Sequence, residues 1–272
     1  MSSPETDKKP TVPRWATEDF HQFLDHQEDL ATILHLSMNG ISMLRGRPHA
    51  IKVLAEVDGR VQEEEENLKR ASKERDLAQR EVDSDFPVLH EQAIVALWSA
   101  LEALVRSFAA AWLANWPGAW QKDAVKKLRV RLGEYEALDP PDRCLWAVDL
   151  LDQETSGPLK AGLGRFEGLL ETFQLNGPVA EECRKRLFEL SQVRHVVVHR
   201  RGKADRKLVN ACPWLQLKPG DQIKISHEMW RQYNGAVGEY VLELIQRVRV
   251  AFGLIRYEPE ETDSAADPTG KV

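Results

Sequence analysis

Residues 88 to 112 constrain the fold more than any other stretch of the chain. This segment runs through Ala93, Ile94, Val95, Leu97, Trp98, Leu101, Leu104, Val105 and Phe108 with few polar breaks. On a 3.6-residue helical period those side chains cover more than one face, so the helix has to be buried on several sides. Pro87 suits its first position, where a missing N–H costs nothing. A helix of this kind needs other helices around it. The expected fold is all-α: an antiparallel helical bundle over residues 86–254, preceded by a long helical extension over 15–85.

The surrounding elements follow from local signals. Thr17, Glu18 and Asp19 open a helix to about His35, with Phe20, Phe23, Leu24, Leu30, Ile33 and Leu34 on one face. Gly40, Gly46 and Pro48 then predict a break. From Ala50 to Asp83, positions Leu54, Val57, Val61, Glu64, Leu68, Ala71, Arg75, Ala78 and Val82 alternate steps of three and four. That thin heptad register fits either a coiled-coil arm or a solvated helix packed by one narrow stripe. Asp139 or Asp142 caps a helix through Leu151, and Gly157 to Gly164 reads as a loop. Helices follow over Leu163–Phe173 and Val179–Val198, separated by the turn Asn176-Gly177-Pro178. Alternation in Trp214–Lys218 and Gln222–Ile225, around Pro219-Gly220-Asp221, predicts a small β-hairpin. Ser226 caps a last helix from His227 to about Leu254. Residues 1–14 and 255–272 are polar, Pro-bearing and expected to be disordered.

Charge and cysteine usage limit the function classes. The 272 residues have a net charge of −6, so any nucleic-acid binding needs a local patch. Cys144, Cys183 and Cys212 are odd in number and far apart, which points to buried thiols in a reducing, cytoplasmic setting. No apolar run is expected to span a membrane, and the N-terminus lacks the apolar core of a signal peptide. There is no glycine-rich phosphate loop, no paired His/Cys spacing and no His-Glu-x-x-His run, so neither metal nor cofactor is expected.

The residues that invite chemistry lie in Glu189–Gly202. Arg194 and His199 stand five residues apart on the last turns of an amphipathic helix held down by Leu190, Val193, Val197 and Val198. At about 100° per residue they point roughly 140° apart, so they converge only if both line a groove or the helix end tightens. An arginine stays charged and grips phosphate oxygens, and a histidine moves protons near neutrality. Together they form a minimal kit for attack of a ribose 2′-hydroxyl on its own phosphate, with His199 as acid or base and Arg194 stabilising the transition state. Gly202 is expected as the residue that ends the helix. Arg200, Arg201, Lys203, Arg206 and Lys207 surround Asp205 and, with Arg194, give a local excess of five positive charges suited to an RNA backbone. The Lys122–Arg131 segment is a second basic face, either RNA-tracking or simply solvated. Glu102, on the apolar helix, is expected either to orient Arg194 or to sit on a polar edge, with Glu91 as the other candidate. Ser191 is expected to be ordinary surface. Trp112, Trp116 and Trp120 recur every four residues and predict a packing ridge.

On these residues the chain resembles the HEPN family: helical domains with an Arg-x(4–6)-His motif and often a polar residue just after the Arg, here His195. Trp98-Ser99-Ala100-Leu101-Glu102 resembles the first helix of such domains. The resemblance covers roughly residues 86–254. It implies a HEPN-like bundle and a metal-independent RNA endonuclease of a prokaryotic toxin or defence system, although the family includes inactive interaction modules. It also implies a homodimer that brings two Arg/His sets together, and a neighbouring antitoxin or defence partner. Some members have a nucleotidylated Tyr two residues after the motif His. Arg201 stands there, so that regulation is not expected.

Overall fold

A computed structural model describes residues 11–155 and 162–257. Its centre is α4, Pro87–Asn115, with Ile94, Leu97, Leu101, Val105, Phe108, Ala109, Trp112 and Leu113 almost wholly buried. The expected all-α fold is what forms. At 29 residues α4 is also long and apolar enough to cross a membrane, contrary to expectation, but 56% of its most apolar window is buried inside the bundle.

Four helices pack on α4 or on its neighbours: α1 (Glu18–Leu44), α7 (Pro140–Thr155), α9 (Glu181–Arg200) and α11 (His227–Ala251). Side-chain pairs fix their directions. Phe20 meets Phe108 at 4.8 Å while Leu44 shares a cleft with Val88, so α1 runs antiparallel to α4. Glu102 faces Arg194 and Glu91 approaches Gly202, so α9 is antiparallel to α4 as well. α11 runs alongside α4, with His90 near His227 at one end and Trp112 near Phe252 at the other. Cys183 Sγ donates to Ala236 O at 3.3 Å across the α9–α11 seam, and all three cysteines are free and buried.

Capping largely follows the sequence signals. Pro87 opens α4, Ser226 Oγ accepts from Met229 N at 3.2 Å, and Asp139 accepts from Asp142 N at 2.9 Å. Asp205 caps a short α10 (Arg206–Ala211) that was not expected. α8, Leu163–Glu171, follows Gly162. The loop expected at Gly157–Gly164 lies mostly outside the described residues, as does the disorder expected over 1–10 and 258–272. Val12 packs against the core, and Arg14–Ala16 forms a 3-10 turn.

Three expectations are corrected. α1 does not stop at His35 but continues through Gly40 to Leu44, and the break falls at Gly46, with Pro48 in the first turn of α2 (Arg47–Val57). The heptad stretch is not one helix. It turns at Gly59, in the left-handed region at φ +69°, and resumes as α3 (Glu65–Asp83). Ala71 and Ala78 pack inward from α3, whereas Leu54, Val57 and Val61 stay exposed. Finally, no β-hairpin forms among the described residues: Pro213–Leu215 is a 3-10 turn, and the only bridge joins Lys203 to Gln222. The backbone bonds of the second half go to the segment after α9 instead. Ile223 N donates to Gly202 O and Ala204 N to Asp221 O, both at 2.8 Å. The alternation reflects Ile223 and Ile225 entering the core.

The tryptophan ridge is also shorter than its spacing. Trp112 and Trp116 stack at 4.4 Å, but α4 ends at Asn115, before Pro117. Trp120 leaves the ridge and stands partly exposed.

Candidate active site

The site forms where α4, α8, α9 and α10 meet. Leu187, Leu190, Val193 and Val196 are all buried and fix the rotation of α9. That rotation turns Arg194 and His195 toward a cleft of about 200 Å³, also lined by Trp98, Glu102, Gly162, Arg165, Ser191 and Lys207. Trp98 stacks on Phe166 at 5.3 Å and forms a stiff wall.

Glu102 faces two guanidinium groups. Arg194 Nη2 is 3.9 Å from Glu102 Oε2, an ion pair too long for a hydrogen bond. Arg165 Nη1 is 3.4 Å from Oε1. Arg165 is itself held by Asp152, with Nε donating to Oδ1 at 2.9 Å and to Oδ2 at 3.0 Å. Glu102 thus pairs more closely with Arg165 than with Arg194, and Glu91 lies at the Gly202 end instead. Arg194 Nε is buried and has no hydrogen-bond partner among the described residues. Nε is closed off from the cleft, so the donors that could meet an oxygen anion are the terminal Nη1 and Nη2, which make no hydrogen bond among the described residues.

The two histidines divide. His195 lines the cleft, and His199 lies one turn further on, exposed, its ring 4.7 Å from that of His195. Arg194 and His195 thus share the cleft, and His199 is not among its lining residues. Burial, followed by the charges of His199, Lys207 and Arg194, holds His195 below the ordinary imidazole value, against the pull of Asp205. That favours its neutral form, in which a ring nitrogen can accept a proton.

Arg200, Arg201, Lys203, Arg206 and Lys207 are all exposed. Asp205 is occupied by its cap on Leu208 N and by Arg200 at 3.9 Å. The helix ends where the glycine was expected to end it: Arg201 takes the cap position, itself left-handed at φ +55°, and Gly202 follows as C′ at φ +72° with its N–H on Val196 O at 3.2 Å. Two left-handed residues in succession turn the chain sharply, and Lys207, on α10, lines the same cleft as Arg194.

Ser191 is not ordinary surface. It lies in the cleft wall against Gly162, though its hydroxyl is spent donating to Phe188 O at 2.7 Å. Arg165 and Asp152 were not singled out from the sequence, and only their contact across the fold identifies them. Lys122 donates to Gln174 and Arg131 pairs with Glu134 at 3.0 Å, so part of the second basic face is engaged within the chain. Among the described residues no cluster of three or more His, Cys, Asp or Glu could hold a metal ion. No family model, no curated protein and no solved structure matches the chain.

Proposed function

We propose that this cleft cleaves RNA, as a HEPN-like endoribonuclease that needs no metal. The observation that supports it best is the pairing of a half-used Arg194 with a His195 biased toward its neutral form in one cleft, beside an exposed basic loop. A base takes the proton of a ribose 2′-hydroxyl, and the oxygen attacks the adjacent phosphorus. The 5′-oxygen leaves with a proton from an acid, giving a 2′,3′-cyclic phosphate and a 5′-hydroxyl. Arg194 stabilises the phosphorane charge, with Glu102 and Arg165 orienting it. His195 supports proton transfer. His199, facing solvent, is the acid or base offered to a second copy, so a homodimer assembles the full set. Arg200, Arg201, Lys203, Arg206 and Lys207 grip the strand. The setting is a cytoplasmic toxin or defence system, with an antitoxin or other defence component as partner.

One observation favours a second reading, a non-catalytic interaction module. Ile33, Leu36, Met43, Leu54 and Val57 leave apolar surface exposed on α1 and α2. The two readings separate on incubation of the purified chain with RNA in EDTA. On the first, cleavage survives the chelator and falls by about 10²-fold or more in folded Arg194→Ala and His199→Ala. Equal cleavage by all three proteins would leave only the second.

A further inference from the structure

A second cleft lies away from the Arg194 site, between the start of α1, the C-terminal half of α4, the short helix α6 (Leu132–Glu136) and the start of α7. Its volume is about 660 Å³, the size of a small-molecule pocket. Ala110, Ala111 and Ala114 leave the space open along α4, and Trp120 and Tyr135 flank it.

Asp19 sits in this cleft without a cation. The Ser107 hydroxyl beside it donates to Leu104 O at 3.2 Å, and Glu18 repels it; burial pushes its carboxyl above the usual range. The nearby arginines are committed elsewhere. Arg14 pairs with Glu18 at 3.0 Å. Arg143 donates to Tyr135 O and Glu136 O, each at 3.0 Å, and lies over the Tyr135 ring at 5.0 Å. The Asn115 amide donates to Ala111 O. Asp19 is left facing an apolar floor, with the exposed indole of Trp120 and Arg143, whose Nη1 is unbonded among the described residues, also on the cleft lining.

We propose that this cleft binds a small organic cation with a flat apolar body, of the arylalkylamine type. Its ammonium pairs with Asp19, and its ring lies on the alanine floor beside Trp120. The ion pair relieves the cost of a carboxylate held partly out of water, and the aromatic edge adds ring contact and cation attraction. An organic anion would meet Asp19 as a like charge, whereas Arg143 gives Nε and Nη2 to Tyr135 O and Glu136 O and lays its guanidinium over the Tyr135 ring.

The test is titration calorimetry on the full chain, with tryptamine as cation, indole-3-propionate as anion and 3-methylindole as neutral isostere. Tryptamine is expected to bind saturably with Kd below about 1 mM and at least about ten-fold more tightly than either isostere. Asp19→Asn, which removes only the charge, and Ala111→Leu, which fills the floor, should each weaken tryptamine by about ten-fold or more. Each variant is first checked for an unchanged far-UV spectrum, and either one alone decides the matter. No saturable heat, equal binding of the anion, or affinity unchanged in a folded variant overturns the proposal. The outcome is independent of Arg194 and His199, so it neither tests nor needs the nuclease reading.

Discussion

Gly202→Ala should destabilise the chain by an amount that can be assembled from its surroundings. Gly202 is buried with φ +72°, a conformation that costs an alanine about 1 kcal/mol. The added Cβ would stand 2.4 Å from Gln222 Nε2, so that amide must swing away. It would then lose its hydrogen bond to Arg201 O, now 3.2 Å, worth about 1 kcal/mol. The sum is about 2 kcal/mol, or roughly 5 °C in melting temperature for a chain of this size. Urea unfolding should show a lower midpoint with an unchanged slope. A double-mutant cycle separates the two causes. With Gln222→Ala in the background the clash is gone, so Gly202→Ala should cost only the backbone part, about 1 kcal/mol. A neutral Gly202→Ala, or a cost identical in both backgrounds, would refute the reasoning.

Other outcomes follow from the same structure. Glu102→Ala should lower stability by about 1 kcal/mol, since the ion pairs it loses are only part-buried, and should reduce RNA cleavage more than Glu102→Gln does; equal activity in both would count against an orienting role. His90 is fully buried beside His227, and burial holds it below the ordinary imidazole value of about 6.5. The unfolded chain therefore takes up the proton first, and stability should fall as pH drops below about 6.5, a decline that is shallower in His90→Gln by urea unfolding. Lys203→Ala with Lys207→Ala should reduce the slope of log affinity for single-stranded RNA against log salt by about 1.4 if both contact phosphates, as read by fluorescence anisotropy.

Legibility differs from element to element. α4, α9 and α11 could be read because each has a long apolar period bounded by Pro87, by the basic turn after His199, or by Ser226. The Arg194–Glu102 contact was expected because a carboxylate on an apolar helix needs a partner. Arg165 and Asp152 were not, since charged residues on amphipathic helices are mostly solvated and their meeting depends on tertiary approach. The break at Gly59 was hidden because its flanks continue the three-four spacing, and only the backbone reveals that the chain turns back. The hairpin failed for a different reason. Period-two burial is shared by strands and by loops that place alternate side chains in a core, and Gly202 and Ala204 had already taken the backbone groups that a second strand would need. His90 and His227 lie far apart in the chain, with nothing local to link them.

The cysteines have a practical consequence. Burial pushes the Cys183 and Cys212 thiols up to about 12. At neutral pH only about one molecule in 10⁵ would hold either as the reactive thiolate while folded. Iodoacetamide should therefore spare these two sulfurs in the native chain and mark them only when their surroundings loosen. For Cys183 that means a parting of α9 from α11, so the rate of alkylation becomes a clock for how often the helix bearing Arg194 comes away from its neighbour.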